Sequence, residues 1–171
     1  VTNFYGTPPG GVNNPGVGPY TEVQFEVQSL PIVTGGYYAY GLPQPPVVLS
    51  FSNNVSASLE LDDLELTNLT TSQVVPSSFI SLDTSGQTNT ATLRFIGFTN
   101  GVLPDGNYEL RVRAAGVFSG SGIFMAQDAL IPFFVLSGDA NRDRAVNISD
   151  FAILAANFNR PGTFSQGDFN Y

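Results

Sequence analysis

The sequence predicts a mainly β protein, an antiparallel β-sandwich that carries a short oxygen-rich loop and one helix at its C-terminal end. Three observations support this. Short segments of period-two apolar alternation recur along the middle of the chain, turn-forming residues separate them, and helical apolar spacing follows the last of them. With 171 residues the chain can bury a core of one domain plus a small appendage.

Residues 1 to 21, VTNFYGTPPGGVNNPGVGPYT, are dense in Gly, Pro and Asn and show no period, so they cannot build a core of their own. Two expectations fit them: a flexible linker, or an extended arm anchored by Phe4, Tyr5 and Tyr20 on its own domain or a neighbouring subunit. The sandwich is expected over residues 22 to 136. Its first strand places Val23, Phe25 and Val27 opposite Glu22, Gln24, Glu26 and Gln28. GYYAY (36 to 40) follows, then Val47, Leu49 and Phe51, then Leu59 and Leu61, SFISL (78 to 82), and Ala91, Leu93 and Phe95. The cleanest alternation sets Tyr108, Leu110, Val112 and Ala114 against Asn107, Glu109, Arg111 and Arg113. IFMA (123 to 126) and LIPFFVL (130 to 136) complete the set. Turns are expected at Asn53-Asn54, Ser85-Gly86, Pro104 to Asn107 and Ser119 to Gly122. Many short strands without intervening helices argue for an immunoglobulin-like shape, without the Cys-Trp-Cys core of antibody domains.

Composition removes whole classes of chemistry. A net charge of -8 makes nucleic acid a poor partner, because phosphate binding draws on clustered Lys and Arg. The chain has no Cys and no His, hence no disulfide, thiol nucleophile or imidazole base. Lysine is absent too, and the six basic residues are all arginines. No run of about twenty apolar residues is present, so no helical membrane insertion is expected. The start at Val1 suggests a processed product or an excised fragment.

The segment 137 to 171 holds the densest chemical pattern. In GDANRDRAVNISDFAILAANF, counting from Asp139, side-chain oxygens fall at loop positions 1 (Asp139), 3 (Asn141), 5 (Asp143), 9 (Asn147) and 12 (Asp150), with the carbonyl of Ala145 at position 7. Those are the positions an EF-hand-type loop uses, because a hard cation takes six to eight oxygens and a curled chain turns alternate residues inward. The expected cofactor is Ca2+. Arg144 stands at position 6, where glycine usually makes the turn, so a left-handed non-glycine residue is expected there. Arg142 and Arg144 also bring positive charge beside the cation, and position 12 is the shorter Asp. The expected Kd is therefore weak, on the order of 10⁻⁵ to 10⁻³ M. Phe151, Leu154, Ala155 and Phe158 then follow the spacing of one apolar helical face, which Asn159, Pro161 and Gly162 terminate.

Two family resemblances follow from these residues. The stretch from about Pro46 to Leu136, with VVLSFSNNVSASLELDDLELTN and LPDGNYELRVRAAGV, resembles the immunoglobulin-like modules of large bacterial surface and secreted proteins. Residues 138 to 171 resemble a dockerin repeat, a calcium loop followed by a helix. This resemblance implies Asp139, Asn141, Asp143, Asn147 and Asp150 as ligands and a cohesin-like protein as partner. A second unit opens at Gly167-Asp168-Phe169-Asn170 and breaks off at Tyr171, so a complete two-site dockerin is not expected.

Other constellations have plainer explanations. Glu60, Asp62, Asp63 and Glu65 fit a solvated strand edge or turn better than a glycosidase pair. Ser119 and Ser121 fit a turn, Asn54 and Asn68 ordinary turn chemistry, and Tyr37, Tyr38 and Tyr40 core or interface packing. The expected function is a non-catalytic, secreted structural or assembly module, stiffened by calcium and self-associating into a fibre or surface layer through the N-terminal arm and strand edges. Two alternatives stand beside it: the dockerin-bearing accessory part of a secreted carbohydrate-active enzyme, and a weak hydrolase using acidic residues.

Overall fold

The computed structural model describes residues 29–42, 44–85 and 89–169. The arm over residues 1 to 21 and the strand expected at residues 22 to 28 lie outside them. Among the described residues, eight strands form two antiparallel four-stranded sheets. The first contains β1 (Val33–Tyr38), β2 (Val47–Phe51), β5 (Ser81–Asp83) and β6 (Thr90–Arg94), in the order β1-β2-β6-β5. The second contains β3 (Leu64–Asn68), β4 (Gln73–Val74), β7 (Gly106–Val112) and β8 (Ala129–Val135), in the order β4-β3-β7-β8. One helix, α1 (Ile148–Asn157), follows the last strand.

Alternation explains the strands at the centre. Val47, Leu49 and Phe51 of β2 and Tyr108, Leu110 and Val112 of β7 turn inward, while their neighbours in sequence face outward or sit half-buried. Register keeps these sets together: Val47 pairs with Leu93 and Leu49 with Ala91, while in the other sheet Leu66 pairs with Leu110 and Leu110 with Ile131. One buried cluster draws on both sheets, so the two inner faces share a core. Aromatic rings join the sheets at one edge. Tyr38 of β1 stacks on Phe133 of β8 at 5.3 Å, and Phe133 stacks on Tyr108 of β7 at 5.4 Å.

Three expected strands differ. Leu59 and Leu61 do not form one: Ser58 and Leu59 close a turn onto the Val55 carbonyl, and Leu61–Asp63 is a 3₁₀ turn. The backbone N–H of Glu60 donates to the Asp63 carboxylate at 3.0 Å, so a local acidic cap competes successfully with sheet pairing. The strand begins later, at Leu64, and Glu65 on it pairs with Arg113. IFMA is reduced to an isolated bridge between Phe118 and Phe124, held where Met125 N–H donates to the Val117 carbonyl. In SFISL the first residues form a 3₁₀ turn, and pairing starts only at Ser81.

Turn chemistry at Asn54 and Asn68 is as the residue types suggest, whereas Gly106 and Asn107 of the turn expected at Pro104 to Asn107 already belong to β7, and Gly86 lies outside the described residues. Asn54 accepts the Ser56 N–H, and buried Asn68 accepts those of Thr70 and Thr71 while donating to the Tyr108 hydroxyl at 3.1 Å. Gly106 is required beside it, since a Cβ there would stand 2.9 Å from Asn68 Nδ2. Tyr38 and Tyr40 are buried as expected, whereas Tyr37 faces solvent. Truncation at the shared core should therefore be costly: Leu110→Ala and Leu49→Ala each lower unfolding free energy in urea by about 2–5 kcal/mol. Leu130→Ala, on the exposed face of β8, stays within about 0.5 kcal/mol of the parent protein.

Candidate functional site

The segment after β8 is aimed by the strand ends. Asp105, just before β7, accepts both the backbone N–H and the hydroxyl of Ser137, at 2.7 and 2.8 Å. The Asp139 N–H then donates to the Leu136 carbonyl, which turns the chain into the 139–150 loop.

Loop curvature comes from short-range side-chain acceptors. Asn141 accepts the Asp143 N–H, Asp143 that of Ala145, and Asn147 that of Ser149, each at 2.8 to 2.9 Å, giving three successive Asx turns. Arg142 and Arg144 are left-handed, with φ of 65° and 72°. The conformation expected at Arg144 is thus present, and Arg142 shares it.

Two carboxylates close the loop. Asp139 is 0% exposed and Asp150 2%. Asp139 accepts the N–H groups of Asp143 (3.1 Å) and Arg144 (2.8 Å), and Asp150 those of Asn141 (3.2 Å) and Asn147 (2.9 Å). Asp150 therefore links both ends of the loop. It also completes a capping box with Asn147, the N-cap of α1. The Asn147 N–H beside it, with further backbone N–H groups, holds its pKa below the ordinary 3.8 against the opposing effect of desolvation. Among the described residues the only ion pairs are Arg111–Asp128 and Arg113–Glu65, so neither Asp139 nor Asp150 has a cationic side-chain partner.

The remaining candidate ligands, Asn141, Asp143, Ala145 and Asn147, are exposed. Asn141 Nδ2 donates to Asp143 Oδ2 at 2.9 Å, and Asn147 Nδ2 to the Ala145 carbonyl at 3.3 Å. Among the described residues, no group of three or more Asp, Glu, His or Cys side chains stands in metal-holding geometry. The donor set expected here includes two amides and a carbonyl beside its three carboxylates. A carboxylate oxygen with one N–H partner keeps acceptor capacity for a second.

Neither Arg142 nor Arg144 forms an ion pair with Asp139 or Asp150. The Arg144 guanidinium lies 4.3 Å from the centroid of the Phe134 ring and donates to Asn107 Oδ1 at 2.9 Å, while that of Arg142 lies 5.6 Å from the Tyr40 ring. The Tyr40 hydroxyl donates to the Phe134 carbonyl, and its ring contacts fully buried Phe164 at 5.3 Å. Burial pushes the Tyr40 hydroxyl up to about 12, against the lowering effect of the two guanidinium charges. Tyr40, Asn107, Phe134 and Phe164 were not legible as part of this site, since nothing in residue spacing brings Tyr40 and Phe134 together.

The helix face turns outward. Phe151 is 61% and Phe158 77% exposed; Leu154 is half-buried, and Gly167 approaches it so closely that a Cβ would stand 2.7 Å from its Cα. Ile148, 76% exposed, extends the same apolar stripe. No helix among the described residues is long and apolar enough to cross a membrane. The chain matches no known family model and no curated protein sequence.

Two pH responses follow. With its pKa depressed in the fold, Asp150 adds stability above the ordinary carboxylate value and loses it as pH falls through the lower folded value. Amide exchange at Asn141 and Asn147 should accordingly stay slow down to about pH 3.8 and accelerate only below it. Tyr40 behaves oppositely: its raised pKa gives stability that is complete below pH 10 and is lost as pH rises toward about 12. Tyrosinate absorbance should show this late step in the parent protein and lack it in Tyr40→Phe.

Proposed function

We propose that the 139–150 loop binds Ca2+ and that the protein is a non-catalytic extracellular structural or assembly module. The observation that carries this reading is the pair of shielded carboxylates, Asp139 and Asp150, satisfied only by neutral N–H donors. Shielded charge without counter-charge is unfavourable, and a divalent ion would supply what the arginines do not. Asp139, Asn141, Asp143, the Ala145 carbonyl, Asn147 and Asp150 would be its ligands. Binding would exchange the Asn141–Asp143 contact for ion contacts.

Strand order supports an immunoglobulin-like module. The orders β1-β2-β6-β5 and β4-β3-β7-β8 correspond to A-B-E-D and C′-C-F-G of that architecture. Self-association into a fibre or surface layer is the preferred setting. The dockerin-like alternative, in which the helix docks a cohesin-like partner, gains from the exposed stripe of Ile148, Phe151 and Phe158.

Calcium should raise the thermal midpoint, with about 2.7 kcal/mol of added stability at a hundredfold excess over Kd. Asp139→Ala with Asp150→Ala should abolish the shift. Asp143→Asn, which keeps its Asx turn, should leave the calcium-free midpoint in place and shrink the shift. An undiminished shift in the double variant refutes the assignment. Calcium-dependent polymers in electron micrographs would favour the structural role, and capture of a cohesin-bearing protein the alternative.

A further inference from the structure

The two left-handed arginines face the sandwich as a pair. Arg144 reaches the β7–β8 hairpin strands at two points, the Phe134 ring and the Asn107 amide oxygen, and Arg142 reaches the Tyr40 ring just beyond β1. Those targets are connected to one another. Tyr40 donates to the Phe134 carbonyl, lies 5.8 Å from the Phe134 ring, and packs on Phe164, which returns from beyond α1 into the core. On the loop side, the Arg144 N–H is held by Asp139.

We infer that Arg142 and Arg144 are positioning residues, a two-point clasp that fixes the loop and helix on the end of the sandwich and passes the state of the Asp139 carboxylate to β7 and β8. A planar guanidinium suits this task, because it stacks on a ring with its face and donates hydrogen bonds from its edge; a lysine ammonium cannot do both. The mechanical part stands on contacts within the chain alone, while transmission of an ion's arrival rests on the calcium assignment.

Amide hydrogen exchange of the full chain tests both parts, comparing the parent protein with Arg142→Lys/Arg144→Lys and with each single variant. Without calcium, exchange over 139–157 should be at least about tenfold faster in the double variant, while Leu49 and Leu110 keep their protection. Unchanged exchange over that segment overturns the clasp. With calcium added, the parent protein should gain protection in the loop and also at Tyr40, Asn107 and Phe134. In the double variant the gain should be confined to the loop. Equal gains at Tyr40, Asn107 and Phe134 in both proteins overturn the transmission. A parent protein whose loop ignores calcium refutes the calcium assignment and, with it, the transmission, and the calcium-free comparison still decides the clasp.

Discussion

Two carboxylates shielded from water, with backbone N–H groups as their partners, set the form of the 139–150 loop and the start of α1. Asp139 gathers the amides of Asp143 and Arg144, and Asp150 gathers those of Asn141 and Asn147. Because each spans several residues, together they hold the loop closed at both ends, and Asp150 also starts the helix. The same oxygens can cap a helix and face a cation. These roles are compatible, since a backbone donor occupies only part of the acceptor capacity of a carboxylate oxygen.

The sandwich contributes a rigid platform for this loop. Its core spans both sheets, with Tyr38, Phe133 and Tyr108 stacked across the edge nearest the loop. From that edge project Tyr40, Asn107 and Phe134, which meet the arginines, and Asp105, which meets Ser137. Phe164 inserts from the far side of the helix, so the segment is anchored before and after α1. The helix itself contributes little to the core, and its apolar stripe stays outward.

Legibility in the sequence followed the range of the interactions. Strands β2, β6, β7 and β8 were readable because a half-buried strand stamps period two on its own residues. Loop spacing was readable for the same local reason. Leu59 and Leu61 misled because two apolar residues two apart also fit a turn, and the Glu60–Asp63 cap decided between them. The two-residue β4 is too short to leave a pattern. Direction was the larger gap at the site. Arg142 and Arg144 looked like charges beside a cation, whereas their guanidinium groups lie over the rings of Tyr40 and Phe134, the former about a hundred positions away in sequence.

Arginine in place of glycine at these left-handed positions costs roughly 1–2 kcal/mol for each residue. For Arg144 the return is a close cation–π contact and a hydrogen bond, about 0.5–2 and 0.5–1.5 kcal/mol, so strain and contact balance. Arg142, at 5.6 Å from its ring, makes the weaker contact of the two, and that contact offsets only part of its backbone cost. Its conformation is therefore imposed by the neighbouring Asx turn, in which Asn141 draws in the Asp143 N–H across it. Both arginines hold the loop to the sandwich, Arg144 more strongly than Arg142, and closure of the loop by Asp139 and Asp150 sets the two in place.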